Sequence, residues 1–108
     1  MINIVLYDEE SIVRIAERVM IFFSNEKDMR TTNDTVWLKG AYFRFRSRSI
    51  TINLYDNNFL LKDNILKSLN YILSGEEIYI SNSCQKKEYF NFVNSSTNFD
   101  TFFADCVV

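Results

Sequence analysis

With 108 residues, the chain has the length of one ordinary domain and is too short for two separate hydrophobic cores. Hydrophobic residues make up 47% and charged residues 24%, a balance that excludes an intrinsically disordered chain. The formal net charge of −2 argues against a dedicated nucleic-acid binder, which usually carries an excess of basic residues. We therefore predict a single folded domain over residues 1–108.

The first predicted element is a strand over Ile2–Tyr7, with apolar residues on both faces as in a strand inside a sheet. A helix is expected next, with Asp8 as its N-cap and with Glu9 and Glu10 in its first turn, where the helix dipole favours negative charge. Glu10 is placed to pair with Arg14 one turn later. A buried stripe is predicted from the apolar residues that recur every three or four positions, namely Ile12, Ile15, Ala16, Val19, Phe22 and Phe23.

Residues 25–34 are polar and predict an exposed loop, and residues 35–56 hold three short runs of alternating apolar and polar residues. A tight turn at Lys39-Gly40 and a four-residue loop over 46–49 each set a pairing register. Both registers place the same apolar set on one face, and a one-residue slip would expose that set, so we predict a three-stranded antiparallel meander. The set comprises Val36, Leu38, Ala41, Phe43, Phe45, Ile50, Ile52 and Leu54.

The second half of the chain predicts a further helix and two further strands. Asp63 is expected to cap the helix and Gly75 to end it. The strands are predicted over Glu76–Ser81 and Glu88–Val93. Residues 99–108 are apolar and fit either a short helix or a last strand.

The predicted order β-α-β-β-β-α-β-β indicates an α+β fold with two layers, in which two helices pack on one face of a mainly antiparallel sheet. The other face of the meander is then left facing water or a partner. An edge strand of such a sheet also offers a route to a homodimer or to strand addition by a partner.

Residues that carry out catalysis or bind metals are scarce. The chain has no histidine, which is the commonest general base and a frequent metal ligand, and its two glycines are isolated, which rules out a glycine-rich phosphate loop. Cys84 and Cys106 are too few and too far apart for a structural zinc site, and we expect free thiols in a reducing cytosol. Cys84 is the best catalytic candidate, because positive neighbours such as Lys86 and Lys87 favour the nucleophilic thiolate form of a cysteine, but an ordinary loop cysteine is the favoured interpretation. We predict a protein that is not an enzyme, with no catalytic residue, metal or cofactor.

Two groups of residues are candidates for partner binding. The meander registers place Trp37 opposite Tyr42 on the face away from the apolar set, with Arg44 beside them and Arg46 in the adjoining loop, and Trp, Tyr and Arg dominate protein–protein hot spots. The alternative is that the aromatic pair only stiffens the sheet or is covered by the C-terminal segment. The second group is acidic, comprises Asp8, Glu9 and Glu10 together with Glu76 and Glu77, and suits a basic partner such as a nuclease. The alternative is that these charges form a solvated face with a helix-capping role.

These features favour a small cytoplasmic protein-binding inhibitor of the immunity or antitoxin type, which neutralises a toxin or nuclease by direct binding. One alternative is a single-stranded nucleic-acid-binding module that uses the face bearing Trp37 and Tyr42, although the net charge disfavours a nucleic-acid partner. Another is a phage or mobile-element protein that binds a host defence component. Cytoplasmic location and the absence of membrane association are expected because no basic leading region precedes Asp8 and no apolar run approaches about 20 residues.

Overall fold

The computed structural model describes residues 1–56 and 58–103, and within them the fold is α+β as predicted. One antiparallel sheet contains all the strands of these described residues. The elements, in chain order, are β1 (Ile2–Leu6), α1 (Ser11–Phe22), β2 (Arg30–Thr31), β3 (Thr35–Leu38), β4 (Ala41–Phe45), β5 (Ser49–Leu54), α2 (Phe59–Ile72), β6 (Ile78–Asn82), β7 (Lys87–Phe90) and a 3₁₀ turn (Asp100–Phe103).

The strands lie in the order β2-β3-β4-β5-β1-β6-β7. The predicted meander registers are confirmed, because Leu38 lies opposite Ala41 and Phe43 lies opposite both Val36 and Ile52. β1 lies inside the sheet between β5 and β6, as its apolar residues on both faces predicted. The predicted order lacks β2, which lies within the stretch expected to be a loop.

Both helices lie on the same face of the sheet. The buried residues of α1 and α2 and the inward residues of the long strands form one hydrophobic cluster. Ile15 of α1, Ile65 of α2 and Ile4 of β1 are each fully buried in it. The ring of Phe23, just after α1, lies 5.7 Å from that of Phe43 on β4, which ties the helical layer to the sheet.

α1 begins later than the sequence predicted. Its first residue is Ser11, and Glu10 precedes it without a side-chain capping bond, so no acidic residue lies in the first turn. Asp8 instead accepts a hydrogen bond from the Glu10 backbone N–H at 3.0 Å, which closes a local turn of the kind that aspartate side chains favour. The polar run from Asp8 to Glu10 is therefore the loop between β1 and α1.

α2 begins earlier than predicted. Asn58 has an extended backbone, and its side chain accepts from the N–H groups of Leu60 and Leu61, at 2.9 and 3.3 Å. Asp63 lies inside the helix and forms an ion pair with Lys67 one turn later. Asn58 and Asp63 are both of a type that caps helices, but a capping residue needs a non-helical backbone, and Asn58 is the one that has it.

The C-terminal segment packs beside α2 and β7, on the helical side of the sheet. Phe99 is buried and its ring lies 5.3 Å from that of Phe90. The side-chain amide of Asn70 on α2 donates to the carbonyls of Asn94 and Thr97, at 2.9 and 2.7 Å. Of the two alternatives predicted for residues 99–108, the described part forms a short helical turn over Asp100–Phe103, and residues 104–108 lie outside the described part.

Within the described ranges, neither α1 nor α2 has the length and hydropathy needed to cross a bilayer.

Candidate functional site

We call the sheet face opposite the helices the open face. In the described part of the chain, both helices and the C-terminal turn pack against the other face. Strand alternation and the observed registers assign to the open face Asn3, Val5, Arg30, Thr35, Trp37, Tyr42, Arg44, Thr51, Asn53, Tyr79, Ser81, Lys87 and Tyr89.

Four side chains at one side of the open face form what we call the arginine–aromatic cluster: Arg30, Trp37, Tyr42 and Arg44. The rings of Trp37 and Tyr42 lie opposite each other on β3 and β4, with centroids 5.1 Å apart and planes at 54°. The Arg30 guanidinium lies 5.4 Å from the Trp37 ring centroid and that of Arg44 lies 5.0 Å from the Tyr42 ring centroid. Each ring is therefore paired with a cation, an arrangement stabilised by the negative face of the ring.

Hydrogen bonds fix the edges of this cluster. Arg44 Nε donates to the hydroxyl of Thr35 at 3.4 Å, and that hydroxyl donates to Asp34 at 2.9 Å. On the other side, the Asn53 amide donates to the Tyr42 hydroxyl at 3.4 Å. Thr35 is buried, so its hydroxyl is a fixed support for the guanidinium.

Arg46 lies at the rim of the cluster and is already engaged. It forms an ion pair with Asp34 at 3.1 Å, and both side chains are largely exposed. Arg48, in the same loop, donates to the backbone carbonyls of Leu6 and Tyr7. The structure thus brings Trp37, Tyr42 and Arg44 together as predicted and gives Arg46 a role in holding the β4–β5 loop.

The structure does not bring the acidic group to the cluster. Asp8, Glu9 and Glu10 follow β1, which β5 separates from β4, and all three are exposed. The predicted pairing of Arg14 with Glu10 is replaced by one with Glu76, which is buried and accepts from Arg14 Nε at 3.1 Å. The hydrogen bonds that Arg14 donates to Glu76, together with the negative charge of that carboxylate, raise the pKa of Arg14 above the usual arginine value.

A second group of aromatic side chains lies at the other side of the open face and was not singled out from the sequence. Tyr7, just after β1, meets Tyr89 of β7 edge to face, with ring centroids 5.6 Å apart. Tyr79 lies directly opposite Tyr89, and the Tyr89 hydroxyl donates to the carboxylate of Glu77. The alternation of residues within β6 and β7 predicts that Tyr79 and Tyr89 lie on the same face. Tyr7 joins them only through the pairing of β1 with β6, which are far apart in the sequence.

The bond to Glu77 gives a pH-dependent prediction. The hydrogen bond to Glu77, together with desolvation and the carboxylate's charge, raises the pKa of Tyr89 to about 12 from its ordinary value of 10.0. The unfolded chain releases this proton near pH 10 and the folded chain near 12, so the bond's contribution to stability is present below pH 10 and is lost as the pH rises to about 12. Nuclear magnetic resonance of the labelled Tyr89 ring is expected to show the late titration, and Glu77→Gln is expected to move it back towards 10. An unchanged Tyr89 midpoint in Glu77→Gln would contradict the assigned cause.

Cys84 does not have the free thiol that the sequence predicted, because it is disulfide-bonded. The thiolate nucleophile considered for it therefore does not exist in this structure. Cys106, the other cysteine of the sequence, lies outside the described residues. In residues 1–56 and 58–103, no group of three or more acidic or cysteine side chains is arranged to hold a metal ion.

Comparison of the chain with family models, with curated proteins and with solved structures finds no match in any of the three. Function must therefore be inferred from the surface chemistry of the open face.

Proposed function

We propose that the chain is a protein-binding inhibitor that docks on its partner through the open face. The observation that carries this proposal is the arginine–aromatic cluster, which lies on a sheet face that no described helix covers. In the form we favour, the protein is a small antidote of the immunity or antitoxin type. It neutralises a toxin or nuclease by occupying its surface, and it needs no catalytic residue to do so.

The composition and stiffness of the open face support this proposal. Tyr and Trp bring large contact areas with few rotatable bonds, and Arg adds fork-shaped hydrogen bonding, so these residues dominate binding hot spots. Here Trp37 and Tyr42 are mounted on paired strands over a packed core, so little conformational entropy remains to be lost on binding.

The dimensions of the open face also suit a protein partner. Seven strands at about 4.8 Å spacing span roughly 29 Å, and five residues along a strand span roughly 17 Å. This footprint of roughly 500 Å² is about three fifths of the roughly 800 Å² that each partner contributes to a standard interface. Loops at the rim, such as that of Arg46, extend the surface beyond the strands.

A single-stranded nucleic-acid module is the second candidate, favoured by the positive charge of the open face, which carries Arg30, Arg44 and Lys87. Two observations weigh against it. The net charge is −2, and the guanidinium groups already cover the ring faces on which bases would stack. Oligonucleotide binding that is tight at low salt and weakens steeply as salt rises would favour this candidate over the first.

Pairing of two copies through an edge strand is the alternative to docking on the open face. The sheet ends in β2 and β7, and β7 is the longer of these two edge strands. Its exposed Lys87 and Glu88 are of the kind with which natural sheets discourage pairing between edges. We therefore place the partner on the open face rather than on β7.

Capture from the native host, followed by an activity assay of the captured protein, tests the proposal. We expect wild-type chain to recover one dominant protein and to inhibit it at one equivalent. Trp37→Ala and Arg44→Glu are each expected to weaken binding about tenfold or more. Substitution of a hot-spot residue removes about 1.4 kcal/mol or more of binding free energy, and that amount corresponds to a tenfold change in affinity. Val13→Ala, at an exposed position on the far side of the molecule, is the matched control and is expected to bind normally.

The outcomes separate the alternatives. Normal binding by both cluster variants would remove the open face as the docking site. If the captured protein is a component of host defence rather than a toxin, the phage or mobile-element alternative replaces the immunity-type role while direct binding stands. Circular dichroism of each variant shows whether the fold is retained.

A further inference from the structure

The arginines of the chain divide into two groups by what their guanidinium groups contact. Four of them donate to acceptors supplied by the chain itself. These bonds join Arg14 to Glu76, Arg18 to the carbonyls of Ile72 and Ser74, Arg46 to Asp34, and Arg48 to the carbonyls of Leu6 and Tyr7.

The other two arginines both belong to the arginine–aromatic cluster. Among residues 1–56 and 58–103, the side chain of Arg30 has no ion pair or hydrogen bond, and the side chain of Arg44 has only the bond from its Nε to Thr35. Their contacts are instead the rings of Trp37 and Tyr42. The terminal nitrogens of both guanidinium groups therefore keep donors to offer to a ligand.

The rings prepare these two cations for binding. A guanidinium that lies on an aromatic ring is restricted in orientation, while its N–H groups point outward in the plane of the fork. This fork matches a carboxylate, with which it forms two parallel hydrogen bonds. Because the orientation is already limited, less entropy is lost when the bonds form.

The surrounding carboxylates do not neutralise the pair. Asp34 is engaged with Thr35 and Arg46, and Glu77 is engaged with Tyr89. Asp28 and Asp56 border a surface hollow together with Arg30, but neither forms an ion pair with it. In the described part of the chain, both guanidinium groups of the cluster therefore lack a carboxylate partner within ion-pair distance.

We infer, resting on the proposed function, that the open face recognises a partner protein through carboxylate side chains that bind the Arg30 and Arg44 guanidinium groups. A protein carboxylate is favoured over a nucleic-acid phosphate. The guanidinium groups lie over the rings on which bases would stack, so a nucleic acid would lose its stacking contacts at this cluster, whereas a carboxylate needs only the guanidinium N–H groups. The partner surface is therefore expected to be acidic where it meets the cluster.

Titration of the isotope-labelled protein with hexaglutamate at low ionic strength tests this inference. We expect the Arg30 and Arg44 Nε–H signals to shift saturably, and hexalysine to leave them in place. The double variant Arg30→Gln/Arg44→Gln is expected to bind hexaglutamate about tenfold more weakly. Arg18→Gln is the matched control, because Arg18 lies on α1, away from the open face, and already donates to the carbonyls of Ile72 and Ser74, and it is expected to bind as the wild type does.

Two results would overturn the inference. One is the absence of a saturable shift at Arg30 and Arg44 with hexaglutamate, and the other is tighter binding of the oligonucleotide dT6 at the same signals. The inference and the proposed function fail differently. If Trp37→Ala weakens capture of the partner but Arg30→Gln/Arg44→Gln does not, the face binds a protein without carboxylate recognition.

Discussion

Replacement of Phe43 by alanine is expected to lower the free energy of unfolding by about 4 kcal/mol, in the range measured for phenylalanine truncation in cores. Phe43 is fully buried at the centre of β4, between Val36 and Ile52 of the neighbouring strands. Its ring also contacts that of Phe23. The cavity would lie between the sheet and the helical layer, where paired strands on both sides limit collapse.

Urea unfolding followed by circular dichroism measures this loss. A loss of about 4 kcal/mol is a large part of the 5–15 kcal/mol or so that stabilises a domain, so Phe43→Leu serves as a milder variant with an expected loss of about 1.5 kcal/mol. Phe59→Ala is the matched control, because Phe59 is 78% exposed at the start of α2 and is expected to change stability by less than about 0.5 kcal/mol. Equal losses at Phe43 and Phe59 would contradict the assigned core.

The sequence was sufficient to predict the meander, because its two turns are short and each sets a register independently. Lys39-Gly40 places Leu38 opposite Ala41, and the following loop places Phe45 opposite Ile50. Agreement between the two registers left one arrangement that buries the apolar set. The contact of Trp37 with Tyr42 follows from the same local geometry, and for this reason the position of this aromatic pair was predicted correctly.

Features that depend on distant parts of the chain were not predictable in the same way. β2 has only two residues, too few for an alternating pattern to appear, so the place of Arg30 over the Trp37 ring was missed. The Arg14–Glu76 pair joins residues 62 positions apart, and a helix-local partner for Arg14 was chosen instead. The start of α2 was missed for another reason, because Asn58 and Asp63 are both good caps and sequence alone does not reveal which has an extended backbone.

Replacement of Gly40 by alanine is the second large effect, with an expected loss of about 3 kcal/mol in the free energy of unfolding. Gly40 has a φ of +91°, which costs a residue with a side chain about 1 kcal/mol or more. A Cβ there would also lie 2.6 Å from the Cβ of Asp56 and 3.0 Å from a methyl group of Leu61. The turn cannot move away easily, because the Gly40 carbonyl accepts from the backbone N–H groups of Tyr55 and Asp56.

Gly75→Ala is the comparison that separates the two causes. Gly75 has a similar φ of +80°, but an added Cβ would meet nothing within 4 Å, so we expect a loss of only about 1 kcal/mol. The difference of about 2 kcal/mol between the variants is then the cost of the collision at Asp56 and Leu61. Equal losses would instead assign the whole effect to backbone strain.

Because Gly40 closes the turn between β3 and β4, its substitution is also expected to weaken the nuclear Overhauser contacts between the Trp37 and Tyr42 rings, whereas Gly75→Ala leaves them unchanged. The turn glycine thereby links the stability of the meander to the geometry of the arginine–aromatic cluster.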